Sequence, residues 1–263
     1  MTARPLSAAA LTAALLAMTA TGCARSADPT ETGRPGEQAA HTAQKPRTHS
    51  PPGDRQAHLR WGLPAPLPPA PPASPNPRAH PADPGLPPVV DRVRTHDKVV
   101  FLTYDDGAER DPRFVDLVRE LRLPVSMFLT DSVVGPGYAH FARLREVGAN
   151  IQNHTLDHQS LRGLPYAGQR AEICGQQDKL RERFGIRPRL FRPPYGTYDR
   201  TTLRAAADCG ASAVVLWTEG AGEDQLRAGD IISVGLPLVD RTVSLLRQIQ
   251  ERGLRVAHLE DYL

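Results

Sequence analysis

Val99-Val-Phe-Leu-Thr-Tyr-Asp-Asp-Gly107 decides the fold class, because six strand-favouring residues run directly into two acids and a glycine. Such a run predicts a buried strand that ends in a polar loop. Asp111-Pro112 then follows as an N-cap and first helical residue. Farther along, short apolar strands keep alternating with helices, which predicts an α/β fold around a parallel sheet, open or closed into a barrel.

Three polar clusters lie directly after predicted strands. They are Asp105-Asp106, the pair His154 and His158, and the segment 192–195. The carboxyl ends of parallel strands share one edge of a sheet, and barrels place their active sites there. We therefore expect the three clusters to converge on one rim.

His154 and His158 have a spacing that suits one metal ion, because i and i+4 lie on the same face of a helical turn. A catalytic zinc site typically takes three protein ligands and leaves one position for water. One aspartate of the 105–106 pair would complete that set, and the other would be free to act as a general base. The alternatives are a polar turn at the two acids and a chance pair of histidines.

Arg192 is followed by two prolines and a tyrosine. A rigid loop of this kind would hold the guanidinium where it can orient and ionise a neighbouring carboxylate. A helix cap or a surface ion pair is the alternative interpretation.

Three motifs follow one another along the chain: Thr103-Tyr-Asp-Asp-Gly107, His154-Thr-Leu-Asp-His158 and Arg192-Pro-Pro-Tyr-Gly196. They resemble the first three motifs of the polysaccharide deacetylase family, also known as the NodB-homology domain or carbohydrate esterase family 4. The resemblance covers about residues 97–263. It implies an α/β fold, an irregular (β/α) barrel of about seven parallel strands. It also implies a hydrolase that removes N- or O-acetyl groups from polymers such as chitin, peptidoglycan or xylan.

The resemblance implies a role for each matching residue. Asp105 resembles the general base, and Arg192 resembles the residue that orients it. The backbone N–H of Tyr195 resembles a donor to the oxyanion of the tetrahedral intermediate. Asp106, His154 and His158 resemble the ligands of a divalent metal. In the family this metal is usually Zn²⁺, with Co²⁺ in some members.

The chain departs from the family pattern in the fourth and fifth motifs. The usual Asp-Trp pair is missing after Trp217, and Glu223 is taken as the acidic stand-in. Gly235 stands where the family's general-acid histidine is expected. A positioned acid contributes ~10²–10⁴ in rate, so this loss should slow amide cleavage more than ester cleavage. His258, after the last predicted strand, is a candidate replacement, and a structural role is its alternative.

Two functions remain open. The first is a metal-dependent hydrolase acting on acetylated cell-wall or extracellular polysaccharide. The second is a weakened or inactive deacetylase-like module that binds wall polysaccharide. Asp105 favours the enzyme, because its use is to deprotonate water. A glycosidase is a weaker third interpretation, because adjacent carboxylates cannot flank a bond at ~5–9.5 Å from opposite faces. The sequence contains no sign of the particular polymer or of an oligomeric state.

Proline is concentrated in the first part of the chain, where 17 of the 26 prolines lie in residues 24–97 of 263. We therefore predict a signal peptide at 1–22, a Pro-rich disordered linker or tether at 23–97, and the deacetylase-like domain at 98–263. Within 98–263, 22 Lys and Arg balance 22 Asp and Glu. This balance argues against a nucleic-acid partner.

The N-terminus is typical of an export signal, with Arg4 followed by an uncharged apolar run from Leu6 to Ala20. This run is too short for a membrane-spanning helix. Ala20-Thr-Gly-Cys23 resembles a bacterial lipobox, so we expect lipidation of Cys23 and attachment to the outer face of the cell membrane by the lipid anchor alone. An ordinary cleaved signal and a secreted protein is the alternative.

Cys174 and Cys209 remain once Cys23 is lipidated. In an exported protein an even number of cysteines favours a disulfide. Two buried free thiols are the alternative.

Overall fold

Strands and helices alternate along most of the chain. The computed structural model describes residues 56–73, 84–221 and 225–263. Within these ranges the strands are β1 (Val89–Val90), β2 (Val99–Asp106), β3 (Ser126–Leu129), β4 (Asn150–Asn153), β5 (Leu190–Phe191), β6 (Ala213–Val215), β7 (Ile231–Ser233) and β8 (Arg255–Val256). The α-helices are α1 (Ala57–Arg60), α2 (Pro112–Leu121), α3 (Asp131–Val134), α4 (Tyr138–Glu146), α5 (Tyr166–Phe184), α6 (Arg200–Asp208) and α7 (Leu238–Glu251).

Seven strands form one curled parallel sheet in the order β1-β6-β5-β4-β3-β2-β7, and β8 pairs with the start of β2. The register aligns the ends of the central strands, with Asp106 opposite Leu129 and Leu129 opposite Asn153. The carboxyl ends of β2, β3 and β4 therefore lie at one edge. The predicted α/β class, an irregular barrel of about seven parallel strands, is confirmed as a curled half-barrel.

The two end regions of the sheet are joined by side chains and irregular backbone. Arg92, just after β1, forms an antiparallel bridge with Asp230 and an ion pair with its buried carboxylate. Thr218, beyond β6, donates its backbone N–H to the Ile231 carbonyl at 2.8 Å. The barrel is irregular because these contacts replace a continuous ladder on that side.

Alternate residues of β2 supply two apolar layers, as the two-residue period of a strand requires. Phe101 faces the barrel interior with Phe128 and Ile231. Leu102 faces outward, in the cluster that the helices cover. Both layers are closed to water, which fixes the strand register and therefore the position of the residues at the strand ends.

Local signals in the sequence set the helix boundaries. Asp111 caps α2 by accepting the backbone N–H of Arg113 at 2.9 Å. Gly185 ends α5 in a left-handed conformation with φ of 68°. Asp199 and Thr202 form a reciprocal capping box at the start of α6. The start of α2 is therefore the one predicted from Asp111-Pro112.

The predicted domain start at residue 98 is wrong, because β1 lies inside the predicted linker and pairs with β6. Residues 56–73, which we call the strap, also lie in that linker and pack on the domain. Leu63 of the strap is 2% exposed within the outer core. Trp61 donates its indole N–H to Glu120 at 2.8 Å. Proline composition predicted disorder, yet the strap gains order by burying Leu63 and by the bond of Trp61 to Glu120.

Three side chains of the domain hold the strap through its backbone carbonyls. Arg247 donates to the Gly62 carbonyl, Gln250 to that of Ala65, and Arg255 to that of Pro69. Proline lacks an N–H but keeps its carbonyl acceptor, so a Pro-rich segment can be bound in this way. The signal peptide and Cys23 lie outside the described residues.

Two further features concern the described part of the chain. None of its helices is both long enough and apolar enough to cross a membrane. Cys174 of α5 and Cys209, directly after α6, form a disulfide with an S–S distance of 2.06 Å. The two cysteines that were predicted to pair are therefore bonded, and they join neighbouring helices.

Candidate metal and catalytic site

The structure brings the three polar clusters together at the carboxyl edge of the sheet. Asp105 and Asp106 are the last two residues of β2, and His154 follows the last residue of β4. Arg192 follows β5 and hydrogen-bonds to Asp105. Convergence on one rim was the prediction from the strand pattern, and the parallel register produces it.

Asp106, His154 and His158 present three donor atoms that lie within 4.8 Å of one another. The Oδ1 atom of Asp106 lies 3.0 Å from Nε2 of His158 and 3.4 Å from Nε2 of His154. Ligand atoms ~2.0–2.2 Å from a tetrahedral ion lie ~3.3–3.6 Å apart. The triad therefore has nearly the dimensions of a three-residue site for one divalent cation.

Two observations show that these residues fit a metal. The Oδ1 atom of Asp106 is buried and has no hydrogen-bond partner in the described structure, which is unfavourable for a carboxylate oxygen without a cation. Nδ1 of His154 lies 2.8 Å from the backbone carbonyl of Arg192, so Nδ1 carries the proton and donates it. The lone pair of His154 Nε2 is then directed at the triad, as in metal sites.

His158 supports the same conclusion. Burial lowers the pKa of His158, and this outweighs the opposite effect of Asp106. Its imidazole is therefore neutral near pH 7, which is the form that binds a metal.

The two histidines do not lie on a helical turn, so that part of the sequence argument is wrong. Residues 154–158 form a loop in which Thr155 and His158 have φ of 74° and 56°. The side chain of Asn153 accepts the N–H of Thr155, and the hydroxyl of Thr155 accepts the N–H of His158. These local bonds, rather than helical periodicity, aim both imidazoles at Asp106.

Backbone strain is concentrated at this rim. Five non-glycine residues of the described chain have positive φ, and four of them are at the site: Asp106, Thr155, His158 and Tyr195. Such conformations cost ~1–3 kcal/mol each and persist where the surroundings determine them. Gly107, with φ of 90°, completes the turn after β2, and a Cβ there would clash with Val134.

Asp105 is held on both carboxylate oxygens. Arg192 donates to Oδ1 at 2.6 Å, and the Ser233 hydroxyl donates to Oδ2 at 2.8 Å. Burial raises the pKa of Asp105, but the Arg192 charge and these hydrogen bonds outweigh it, so the pKa lies below its usual value. Asp105 is therefore an oriented anion, suited to accept a proton.

Arg192 is fully buried and uses its guanidinium to join three strands. Besides Asp105 it donates to the Thr103 hydroxyl at 2.9 Å and to the Leu216 carbonyl at 3.0 Å. Its guanidinium carbon lies 4.1 Å from the centre of the Phe128 ring, a cation–π contact. The motif that contains Thr103 gave it no role, and motif spacing did not point to Phe128 in β3 or to Ser233 at the end of β7.

Tyr195 lies beside the metal ligands in a short turn. Gly196 and Thr197 donate the turn's hydrogen bonds to the backbone carbonyls of Pro193 and Pro194. The Tyr195 ring is 63% exposed, and its centre lies 4.8 Å from that of His158. Tyr195 therefore lies next to the ligands, where the predicted oxyanion role requires it.

The fourth and fifth motifs depart from the family pattern, and the residues discussed for them are Gly235, Glu223 and His258. Gly235 lies two residues beyond β7, and a Cβ there would meet open space. Glu223 lies outside the described residues. His258 is excluded as a replacement acid, because its Nδ1 lies 3.2 Å from Nδ2 of Asn150, the first residue of β4. The three residues from Asn150 to Asn153 span ~10 Å, which places His258 at the opposite edge of the sheet.

Comparison with known proteins places this geometry in context. A family model described as "Polysaccharide deacetylase" matches residues 92–214. Uncharacterized protein SCO4760 of Streptomyces coelicolor is 64% identical over 194 residues, which make up 68% of this chain and 78% of that protein.

Two relatives carry deacetylase names. Chitin deacetylase 1 of Cryptococcus neoformans is 31% identical over 130 residues, 49% of this chain and 27% of its own length. A peptidoglycan-N-acetylglucosamine deacetylase of Bacillus cereus is 26% identical over 133 residues, 48% of this chain and 59% of its own length. The chain thus spans less than two thirds of each of these two proteins.

Solved structures share the fold. BA3943, described as a CE4 family pseudoenzyme from Bacillus anthracis, has a TM-score of 0.61 at 16% identity, over 67% of this chain and 69% of its own. The Bc1960 peptidoglycan N-acetylglucosamine deacetylase has a TM-score of 0.60 at 21% identity, over 66% of this chain and 92% of its own. At these identities the likeness concerns the fold and does not separate an enzyme from a pseudoenzyme.

Proposed function

We propose that the chain, whose residues 92–214 match the polysaccharide deacetylase family, is a metal-dependent hydrolase of an acetylated polysaccharide. One observation carries the proposal. An unpaired carboxylate oxygen of Asp106 faces two histidine nitrogens, next to a second carboxylate fixed by a buried arginine. A structural role for the acids alone would not need this arrangement.

Each residue has a distinct task in this proposal. Asp106, His154 and His158 would hold the divalent cation, with Zn²⁺ or Co²⁺ as the candidates. When bound, such a cation would polarise an acetyl carbonyl and make a water molecule more acidic. Asp105 would take the proton of the attacking water, because Arg192 and Ser233 keep it ionised and oriented.

The next two steps concern the acetyl group. The backbone N–H of Tyr195 would donate to the oxygen that becomes negative in the tetrahedral intermediate. The departing amine or alkoxide then needs a proton, and Gly235 has no side chain to supply it. Hydrolysis of an O-acetyl ester is therefore expected to suffer less than hydrolysis of an N-acetyl amide, because an alkoxide is the better leaving group.

The same glycine supports a second candidate, a deacetylase-like module that binds polysaccharide with little or no turnover. For the polymer itself, the names of the relatives favour chitin-like chains and peptidoglycan. We further propose export and anchoring through lipidated Cys23, which rests on the N-terminal sequence.

Acetate release by the purified protein tests the function. The substrates are acetylated chitooligomers, peptidoglycan fragments and acetylated xylan, each with added Zn²⁺ or Co²⁺, and Asp105→Asn is the matched variant. We expect the native protein to release acetate and Asp105→Asn to lose ~10²-fold or more while it still binds metal.

The outcomes separate the candidates. Metal binding without acetate release from any substrate would favour the binding module. Equal release by the native protein and Asp105→Asn would remove Asp105 from the mechanism. Failure of the native protein to bind Zn²⁺ or Co²⁺ would overturn the metal site.

A further inference from the structure

Helix α5 packs an unusually polar face against the loop that carries the two histidines. Its buried side chains include Gln169, Glu172, Gln176 and Gln177. Buried polar groups need hydrogen-bond partners, because an unpaired one is strongly destabilising. Several of these partners are in the histidine loop or at the ends of the strands beside it.

Glu172 makes the closest connection to the histidine loop. Its Oε2 atom accepts the backbone N–H of Asp157 at 3.0 Å, and its Oε1 atom lies 3.4 Å from Nε2 of Gln159. Its own backbone carbonyl accepts the N–H of Leu156. The residue is 7% exposed. A carboxylate in such a place needs hydrogen-bond donors, and here the donors are the Asp157 and Gln159 N–H groups.

The loop needs such a contact because it is strained. Asp157 lies between Thr155 and His158, which both have positive φ. These conformations persist where surrounding bonds determine them. Leu156 also packs against Gly175 of the same helix, so closely that a Cβ at Gly175 would clash with it. The loop is thus fitted to α5 by one apolar and two polar contacts.

We propose that Glu172 is a positioning residue for the metal site. Its carboxylate oxygen fixes the Asp157 N–H, directly before His158, and so keeps Nε2 of His158 at its 3.0 Å separation from Asp106. The proposed role depends on an acceptor oxygen that reaches the Asp157 N–H, and it does not depend on the negative charge of Glu172. The inference rests on the metal site of the proposed function.

Three substitutions separate reach from charge. Glu172→Gln keeps an acceptor at the same reach without the charge. Glu172→Asp keeps the charge but withdraws it by one methylene. Glu172→Met keeps the bulk and the helix preference without an acceptor. Loss of an outer partner of a metal ligand typically weakens metal binding 10–100-fold. We expect about that loss for Asp and Met, and binding close to native for Gln.

Co²⁺ is the probe, because its visible spectrum reports ligand geometry as well as affinity. Native protein and variants are titrated with Co²⁺, and we expect the Asp and Met variants to show a changed spectrum at saturation. Hydrogen exchange of the metal-free proteins is a second readout. There the Asp157 amide should exchange faster in the Asp and Met variants and at the native rate in the Gln variant.

Gln169→Met is the matched control on the same helix. Gln169 is fully buried, but it bonds to the Leu164 carbonyl and the Thr202 hydroxyl rather than to the histidine loop. We expect this variant to lose thermal stability and to keep native Co²⁺ affinity. Equal weakening by Gln169→Met would show a general packing effect and overturn the proposal.

The remaining outcomes are also decisive. Native Co²⁺ binding with unchanged affinity in Glu172→Met would overturn the role of Glu172 and leave the proposed function intact. If Glu172→Met does not fold, the comparison of Asp with Gln decides: weak binding by Gln and native binding by Asp would contradict an effect of reach. Absence of Co²⁺ binding by the native protein would overturn the metal site and this inference with it.

Discussion

Ser233 shows what motif matching misses at the level of single residues. The motif comparison gave it no role, yet its hydroxyl bonds to the proposed base, Asp105. The motif residues Asp105, Asp106, His154, His158 and Arg192 could be predicted because their order and chemistry are specific. Their neighbours depend on which side of a strand faces the rim, and a three-residue strand such as β7 carries too short a pattern to show it.

Substitution Ser233→Ala should reduce kcat/KM by about tenfold, because a hydrogen bond to a charged group contributes ~1.5–3 kcal/mol. Ser160→Ala is the control, since Ser160 bonds to Thr197 at the same rim without touching Asp105. Steady-state kinetics on one acetylated substrate make the measurement. A similar loss in both variants would mean that Ser233 has no special relation to the base.

Adding a side chain at Gly235 tests whether the missing general acid limits the reaction. Its backbone is not left-handed and a Cβ would meet open space, so a side chain can be added without a clash. Gly235→His should raise N-acetyl hydrolysis by ~10²-fold and change O-acetyl hydrolysis far less, because the amine needs the added proton more. Gly235→Gln is the control for bulk. If Gln accelerates the reaction as much as His, proton donation is not the reason.

Helix boundaries were predictable at the level of elements, and the loops were not. Asp111, Gly185 and Asp199 begin or end their helices through caps that the sequence displays. The i, i+4 spacing of His154 and His158 pointed to a helical turn, whereas the chain forms a loop with two left-handed residues. Spacing alone cannot distinguish these backbones, because both can bring residues four apart together.

Asp199 permits a prediction of pH dependence. Burial raises its pKa, but the N–H groups of Thr202 and Gly163, with other hydrogen bonds, outweigh this and lower it below the usual value. A carboxyl with a lower pKa in the folded state stabilises the fold above the unfolded-state pKa, ~4, and loses this effect as the pH falls through its folded pKa.

Asp199→Ala should therefore cost ~1 kcal/mol of unfolding free energy at pH 7, the usual effect of losing an N-cap. The difference from the native protein should shrink at pH 3. Urea unfolding at both pH values measures it. Asp199→Asn, which keeps an acceptor, should lose less at pH 7. A constant difference for Asp199→Ala at both pH values would contradict the linkage.

Alternation of strands and helices identified the parallel sheet at the level of the whole molecule, but not where the molecule begins. β1 has two residues, and the strap is rich in proline, so neither displays a period. Their order comes from tertiary contacts with β6, α2 and α7. Composition describes the average tendency of a segment and cannot show that a few of its side chains are buried elsewhere.

Substitution of Leu63 tests how much the strap contributes to the free energy of unfolding. Its side chain is 2% exposed in the outer core, so Leu63→Ala should destabilise the protein by ~2–4 kcal/mol. Leu59→Ala is the control within the same strap, because Leu59 is 62% exposed and should change stability by less than ~0.5 kcal/mol. Thermal or urea unfolding decides the matter. Equal small effects would mean that the strap is not part of the folding unit.

The strap also has a mechanical consequence. A pull on the chain from its N-terminal side reaches residues 56–73 before it reaches β1, because that is their covalent order. The side-chain bonds to Gly62, Ala65 and Pro69 and the burial of Leu63 would bear the load first. Their release would free the 18 residues of the strap, or ~60 Å of extended chain. The strap would thus detach and extend before force reaches the rim where the two histidines meet Asp106.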